Sequence, residues 1–306
     1  MKSLVVMGAG CIGKMVCEYV LPEVIEEYEE IYFFDNDEKK QGTYIDNYYI
    51  LSIEDLWEKI NRANVEISFV LATDSWRELY SLCKQYKVDE NVIAIYTGKS
   101  TVTGKYRRIG YGQDGEDFYL QEQFSLRKKG FYVDIGAHHP FRFSNTYWAY
   151  RHGWNGINIE PNESVMPLFN KARARDINLN CGIAEEEGVI NYFKFSEGAY
   201  STFDKAEFEG KRMPDEIVKV PVYRLETILE RHHVGHISFM NIDVEGLELS
   251  VLKSNNWDKW KPEYVLIEQK NMTIDEIVKS EVYDFLTRCG YKCDWKSIRT
   301  VAYKLQ

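Results

Sequence analysis

Basic charge is what this sequence most conspicuously lacks. It carries 38 Lys and Arg against 48 Asp and Glu, a net charge of -10 at pH 7. A grip on nucleic acid needs a basic surface, so no nucleic acid is expected as a partner, although a nucleotide-sized ligand in one pocket is compatible with this charge. Long apolar runs are missing too. None approaches the roughly 20 residues that cross a bilayer, so no membrane span is expected. Met1-Lys2-Ser3 leads directly into a short apolar stretch with no signal-peptide cleavage pattern, and the expected location is cytoplasmic. Cysteine is sparse and scattered (Cys11, Cys17, Cys83, Cys181, Cys289 and Cys293), and only the last two lie close together. Paired Cys or His at metal-ligand spacing are absent, which argues against a zinc site. Reduced thiols, mostly buried, are expected instead. No repeat of constant period and no low-complexity segment occurs. With 44% hydrophobic and 28% charged residues, the composition is that of a globular chain, and 306 residues suffice for two domains.

What is present is an alternation of apolar strands and helices, twice over. In the first pattern, strand Leu4 to Met7 meets Gly8-Ala9-Gly10-Cys11-Ile12-Gly13, followed by a helical stretch from Lys14 to Val20. Strand Glu30 to Phe34 ends in Asp35-Asn36-Asp37; helix Ile53 to Ile60, strand Ile67 to Ala72 and helix Ser75 to Tyr86 follow. Such alternation implies a mostly parallel sheet covered by helices. Small, polar residues from Thr97 to Lys105 suggest a linker, which gives domains of residues 1–105 and 106–306. The second pattern places strands at Phe131 to Ile135, Gly156 to Ile159, Ile177 to Asn180, Ile237 to Ile242 and Tyr264 to Glu268. Tyr291 to Asp294 and Thr300 to Leu305 read as an antiparallel pair. The expected fold class is therefore α/β: a Rossmann-like class I methyltransferase sheet, parallel with an antiparallel C-terminal hairpin, preceded by a smaller Rossmann-like domain.

Three acids in the second pattern, Asp134, Glu160 and Asp243, sit where strands end, the place where open α/β sheets bind ligands. Gly136 lets a ligand approach the backbone closely. Glu160, followed by Pro161 and Asn162, can accept hydrogen bonds from both hydroxyls of a ribose. A nicotinamide cofactor would use the same carboxylate, but it needs a Gly-rich turn for its pyrophosphate. Here the first turn is Asp-Ile-Gly-Ala-His-His-Pro, and an acidic strand end favours a sulfonium or amine over pyrophosphate. S-adenosyl-L-methionine is the expected cofactor.

Three segments carry a family resemblance: YGQDGEDFYL (Tyr111 to Leu120), YVDIGAHHPFRFSNTYWAYRHGWNGINIEPN (Tyr132 to Asn162) and FMNIDVEGLELSVL (Phe239 to Leu252). From about Tyr111 to Gln269 the chain resembles the FkbM family of methyltransferases. That resemblance implies S-adenosylmethionine-dependent O-methylation of secondary metabolites, sugars or glycolipid-type acceptors, and hence a small-molecule or carbohydrate partner. Many members have a Gly-rich first turn. Here His138-His139-Pro140 and Ser144-Asn145-Thr146 replace it, so side chains are expected to hold the methionine end of the cofactor.

A hydroxyl acceptor must lose its proton, and His138, His139, Asp243 and Glu245 are the candidate bases. Either His can instead simply shape the loop. Asp243, Glu245 and Glu268 offer oxygen ligands for a divalent cation, but no further acidic pair supports this, and no metal is assigned. Gln113, Glu116 and Asp117 either fold over the pocket or form a solvated turn. Tyr147-Trp148-Ala149-Tyr150 reads as core rather than as an acceptor platform. Glu23 to Glu30 reads as a solvated helix face.

In the first pattern, Gly8 to Gly13 follows a strand and precedes a helix, with Asp35 22 residues beyond Gly13, which is the context of a dinucleotide fingerprint. The segment also resembles the Rossmann-like N-terminal domain of sugar acyltransferases. It leaves open an NAD(P)-dependent oxidoreductase, for which no catalytic Tyr-Lys, Cys or His set accompanies it, or a non-catalytic nucleotide-binding scaffold. The smaller domain is expected to recruit the acceptor or to pair subunits into a homo-oligomer.

Overall fold

A computed structural model describes residues 2–60, 66–73, 76–89, 92–95, 110–196 and 198–306. The chain divides into two compact units, Met1–Arg108 and Ile109–Gln306. The expected linker, Thr97 to Lys105, and the expected domain boundary after it lie outside the described residues, as does Ser75 at the expected start of a helix described over Trp76–Gln85.

The first unit is a six-stranded sheet built from β1 (Lys2–Met7), β2 (Glu30–Phe34), β3 (Tyr44–Ile45), β4 (Tyr48–Leu51), β5 (Glu66–Leu71) and β6 (Ile93–Ile95), in the order β3-β4-β2-β1-β5-β6. All pairings are parallel except β3 with β4. Those two strands form a hairpin that the sequence reading did not include, turned at Asp46 with φ 50°. The GxGxxG turn lies at the β1/β5 switch point. Its third glycine lets the helix Cys11–Tyr19 pack against the turn, since a Cβ on Gly13 would stand 2.1 Å from the Gly8 carbonyl oxygen. Val5, Met7, Phe34, Leu56, Phe69 and Leu71 fill the core on one side of the sheet.

The second unit contains β7 (Phe131–Ile135), β8 (Asn155–Ile159), β9 (Ile177–Leu179), β10 (Gly182–Ile183), β11 (Gly188–Lys194), β12 (Glu216–Tyr223), β13 (Phe239–Ile242), β14 (Tyr264–Glu268), β15 (Tyr291–Lys296) and β16 (Thr300–Leu305). Seven of these form one sheet in the order β15-β16-β14-β13-β7-β8-β9. Strands β7, β8, β9, β13 and β14 run parallel, and the β15–β16 hairpin joins β14 antiparallel. This is the parallel-dominated α/β sheet with an antiparallel hairpin that the strand pattern implied. Strands β10, β12 and β11 form a separate three-stranded sheet that the sequence reading missed.

Parallel strands bury both faces and need near-continuous apolar runs, which Val133, Ile135, Ile157, Ile159, Met240 and Val265 supply. Tyr147, Trp148 and Tyr150 are buried and belong to the core. The expectation of mostly buried thiols is half right. Cys17, Cys83 and Cys181 are buried, whereas Cys11 and Cys293 are exposed because they fall on outward positions of a first helical turn and an edge strand. No described helix is long and apolar enough to cross a membrane.

Candidate functional site

A doubly wound sheet opens a crevice where strand order reverses, beyond the carboxyl ends of the strands. In the large sheet that point lies between β13 and β7, and a cavity of about 420 Å³ occupies it. This volume lies within the range of small-molecule sites. Gly136 makes the crossing possible. It has φ +78°, and a Cβ there would stand 1.7 Å from the Asp243 carbonyl oxygen. The turns are tied together behind it: Gly136 and Ala137 donate their N–H groups to the Ile159 carbonyl, and Asp243 donates to the Ile135 carbonyl.

One row of polar side chains crosses four strands just short of this crevice. Asn178, Asn158, Asp134 and Asn241 are register partners on β9, β8, β7 and β13. Buried polar groups are costly unless satisfied, and this row is bonded as two pairs, Asn158 Nδ2 donating to Asn178 Oδ1 at 2.8 Å at one end and Asn241 to Asp134 at the other. Asn241 Nδ2 donates to Asp134 Oδ1 at 2.9 Å, and Thr146 Oγ1 donates to Asp134 Oδ2 at 2.7 Å. Because Asn241 donates to a carboxylate, its own carbonyl oxygen must accept, and it does so from Asn145 Nδ2 at 3.0 Å. The amide of Asn145 is thereby oriented. Its Oδ1 is left buried without a protein partner, on a residue that lines the cavity. Burial pushes the Asp134 carboxyl upward, opposed by the bonds from Thr146 and Asn241.

Arg173 braces this row from behind. It is fully buried and pairs with Asp176 at 3.0 Å. It also donates to the Pro140 carbonyl at 2.9 Å, to the Tyr132 hydroxyl at 2.9 Å and to Thr146 Oγ1 at 2.8 Å. The sequence reading missed Arg173. Nothing in Lys171-Ala172-Arg173-Ala174-Arg175-Asp176 marks one arginine as internal.

Glu160 stands at the tip of β8, buried and lining the cavity. The His138 N–H donates to its Oε2 and the Asn162 N–H to its Oε1, each at 2.8 Å. Burial pushes its carboxyl up to about 7 against these two bonds.

The remaining acids gather on the β13 and β14 side. Asp243, Glu245 and Glu268 each present an oxygen within 4.8 Å of the others. Lys270 pairs with Glu268 at 3.0 Å and hydrogen-bonds Glu245. Burial raises the Asp243 and Glu268 carboxyls, and repulsion among the three acids raises them further, against the pull of Lys270.

The sequence candidates divide cleanly by position. Gln113, Asp134, Gly136, His138, Asn145, Glu160, Pro161, Asp243 and Glu245 line the cavity. Ser144, Thr146 and Asn162 stand one bond behind it. Ser144 Oγ accepts from the Tyr147 N–H, Thr146 serves Asp134, and Asn162 Oδ1 accepts from the Ser164 N–H. His139 is also displaced. Its Nδ1 accepts from the Phe141 and Arg142 N–H groups, so it shapes the loop. The solvated-turn reading is overturned for Glu116 and Asp117, which are buried, whereas Gln113 is exposed at the cavity. Glu116 lines the cavity while accepting from Ser297 and Thr300, and Asp117 accepts from the Tyr111 N–H. Lys270, Asn241, Phe143 and Tyr200 also line the cavity and were not singled out from sequence. Three non-glycine residues there, His138, Phe143 and Glu245, hold positive φ values of 53°, 58° and 53°. Such strain concentrates at functional sites.

In the first unit, a smaller cavity of about 160 Å³ adjoins Gly8, Gly10 and Asp35. The Asp35 carboxylate is already engaged there by the Ala9 and Asp37 N–H groups and by Lys40. Burial pushes its carboxyl up, but these bonds outweigh that and hold it below the usual range.

A comparison with curated proteins returns no match. The family model described as the methyltransferase FkbM domain matches residues 134–293, just over half of the chain. That match begins at Asp134 and runs past Glu160, Asp243 and Lys270, so it takes in the strand-end groups around the large cavity, and it lends no support to an oxidoreductase. On this evidence the chain belongs to the FkbM methyltransferase family.

Proposed function

We propose that the protein is an S-adenosylmethionine-dependent O-methyltransferase acting on a hydroxyl of a sugar, glycan or related small molecule, with the cofactor in the large cavity. The observation that carries this reading is Glu160, an acceptor held at a strand tip by two backbone N–H groups and facing a cavity of suitable size. A carboxylate so placed suits the two hydroxyls of a ribose. Asn145 Oδ1 offers an acceptor for the ammonium of a methionine moiety, so the residues present fit the cofactor. Asp134 and Gln113 line the same wall.

When bound, S-adenosylmethionine supplies an electrophilic methyl group, which passes to the acceptor oxygen as the carbon–sulfur bond breaks and S-adenosylhomocysteine leaves. The chain positions both partners in line and takes the hydroxyl proton. Asp243 is the leading base, and His138, which lines the same cavity, is the second candidate. Glu245 is tied to Lys270, and His139 to the loop backbone. Phe143 and Tyr200, 39% and 50% exposed, line the cavity with the Arg142 and Arg212 guanidiniums over their rings at 4.5 and 4.0 Å, a mixed aromatic and cationic wall for a polar acceptor. The first unit recruits the acceptor or pairs subunits, its GxGxxG turn being a nucleotide-type fold related to that of sugar acyltransferases. Residues from 106 onward fold and bind cofactor alone.

The test is release of S-adenosylhomocysteine across a panel of sugars, glycans and nucleotide sugars. Single-turnover comparison with Asp243→Asn should show a loss of about 10²–10⁴ in rate. Unchanged turnover in that variant would remove Asp243 as the base.

A further inference from the structure

Three carboxylates converge at the ends of β13 and β14, and something must balance them. Asp243 and Glu268 follow from the register pair Ile242–Ile267, which sets the two acids side by side on adjacent parallel strands. Glu245 is swung toward them by a left-handed backbone at φ 53°. Thr202 Oγ1 fixes that turn by donating to the Glu245 carbonyl at 2.9 Å. One oxygen from each acid lies within 4.8 Å of the others. Like charges at that separation in a partly buried site repel strongly, and proteins resolve such repulsion by binding a proton or a cation.

Here the cation is part of the chain. Lys270 lies two residues beyond Glu268, in the turn that follows β14. Its ammonium stands 3.0 Å from Glu268 Oε1 and hydrogen-bonds Glu245 Oε2. An ammonium has three donors and no acceptor, so it can be shared among carboxylates much as a small metal ion is. A divalent ion would need those same oxygens at about 2.0–2.6 Å, and it would have to displace a positive charge already bonded to two of them.

We infer that the Lys270 ammonium takes the place of a divalent cation in the Asp243–Glu245–Glu268 triad, and that it acts as the built-in positioning charge for methyl transfer at this site. The inference rests on the reading that the large cavity is the methyl-transfer site. Lys270 holds Glu245 and Glu268, and Glu268 in turn shares a hydrogen bond with Asp243, so the ammonium keeps the Asp243 carboxyl group at the cavity wall for the acceptor hydroxyl. Its part is positioning, since it acts through the acids it binds.

The experiment is Mn²⁺ binding by electron paramagnetic resonance on the full chain, with the metal alone as probe, alongside methyl transfer with and without EDTA. The side chain of Lys270 is 37% exposed, so its replacement leaves the core intact. In the wild type we expect no specific Mn²⁺ site below about 1 mM and turnover indifferent to EDTA. Lys270→Ala should gain a Mn²⁺ site of sub-millimolar affinity and lose about 10- to 100-fold in kcat, with Mg²⁺ restoring part of the loss. The double variant Lys270→Ala/Glu245→Gln should lose the gained site, which assigns it to the triad. A wild-type chain that binds Mn²⁺ in the micromolar range and is inactivated by EDTA would overturn the inference. So would a folded Lys270→Ala chain that gains no Mn²⁺ site. Metal binding is read without cofactor or acceptor, so failure of the cofactor assignment and failure of this inference are separately visible.

Discussion

Replacing Gly136 by Ala tests whether the crevice is built as described. Two costs apply. An L-residue at φ +78° pays roughly 1–2 kcal/mol for the left-handed backbone. The new Cβ would also meet the Asp243 carbonyl oxygen at 1.7 Å, so the β7 and β13 ends must part by more than an ångström. Overpacking of that kind costs about 1–3 kcal/mol. Reduced freedom of the unfolded chain returns about 0.4–1 kcal/mol, leaving a net loss of about 2–4 kcal/mol. For a unit of this size that is a fall in Tm of roughly 5–15 °C. Gly153 supplies the control. It has φ +82° with nothing within 4 Å of its Cβ position, so Gly153→Ala pays only the backbone cost. Differential scanning calorimetry of both variants isolates the steric part, and calorimetric titration of S-adenosylmethionine should show weakened binding for Gly136→Ala alone. Equal, small shifts in Tm for the two variants would refute the close β7–β13 crossing.

Three further outcomes follow from groups around the same cavity. Arg173→Met should cost about 3–5 kcal/mol in urea denaturation, because Asp176 is left buried without its partner, and cofactor affinity should fall as Asp134 and Thr146 loosen. Glu160, held at about 7, should make S-adenosylmethionine affinity pH-dependent. The ionised carboxylate accepts from ribose hydroxyls, so binding is full above pH 7 and weakens up to tenfold per unit below it, and Glu160→Gln should flatten that slope. The same group favours the folded state below its ordinary value of 4.5 and withdraws that contribution as pH rises through about 7, a trend that urea midpoints between pH 4.5 and 8 would show.

Much of the large sheet was legible because its strands end on conspicuous letters. Phe131–Ile135, Tyr264–Glu268 and Glu30–Phe34 are apolar runs stopped by Gly, Gln or Asp, and parallel strands have little other pattern to confuse. Strand β10 is only Gly182–Ile183, and β11 and β12 interrupt their apolar residues with Asn191, Lys219 and Pro221, so no continuous apolar run marks them. The acids of the site were visible for the same reason, being strand-end residues. What bonds to them was not. Whether Thr146 faces the cavity or Asp134, and whether Arg173 is inside at all, are decided by contacts with other segments of the chain, and whether His139 faces the acceptor or its own loop is decided by the local backbone path, which brings the Phe141 and Arg142 N–H groups to its ring.

The measurement that bears most directly on the central claim is calorimetric titration of S-adenosylmethionine into the wild type and Glu160→Ala. A carboxylate bonded to a ribose in a buried site contributes on the order of 1.5–3 kcal/mol. We therefore expect one site per chain in the wild type and affinity weakened roughly ten- to a hundred-fold in a folded Glu160→Ala chain. Wild-type protein that binds no S-adenosylmethionine, or a folded variant with undiminished affinity, would contradict it.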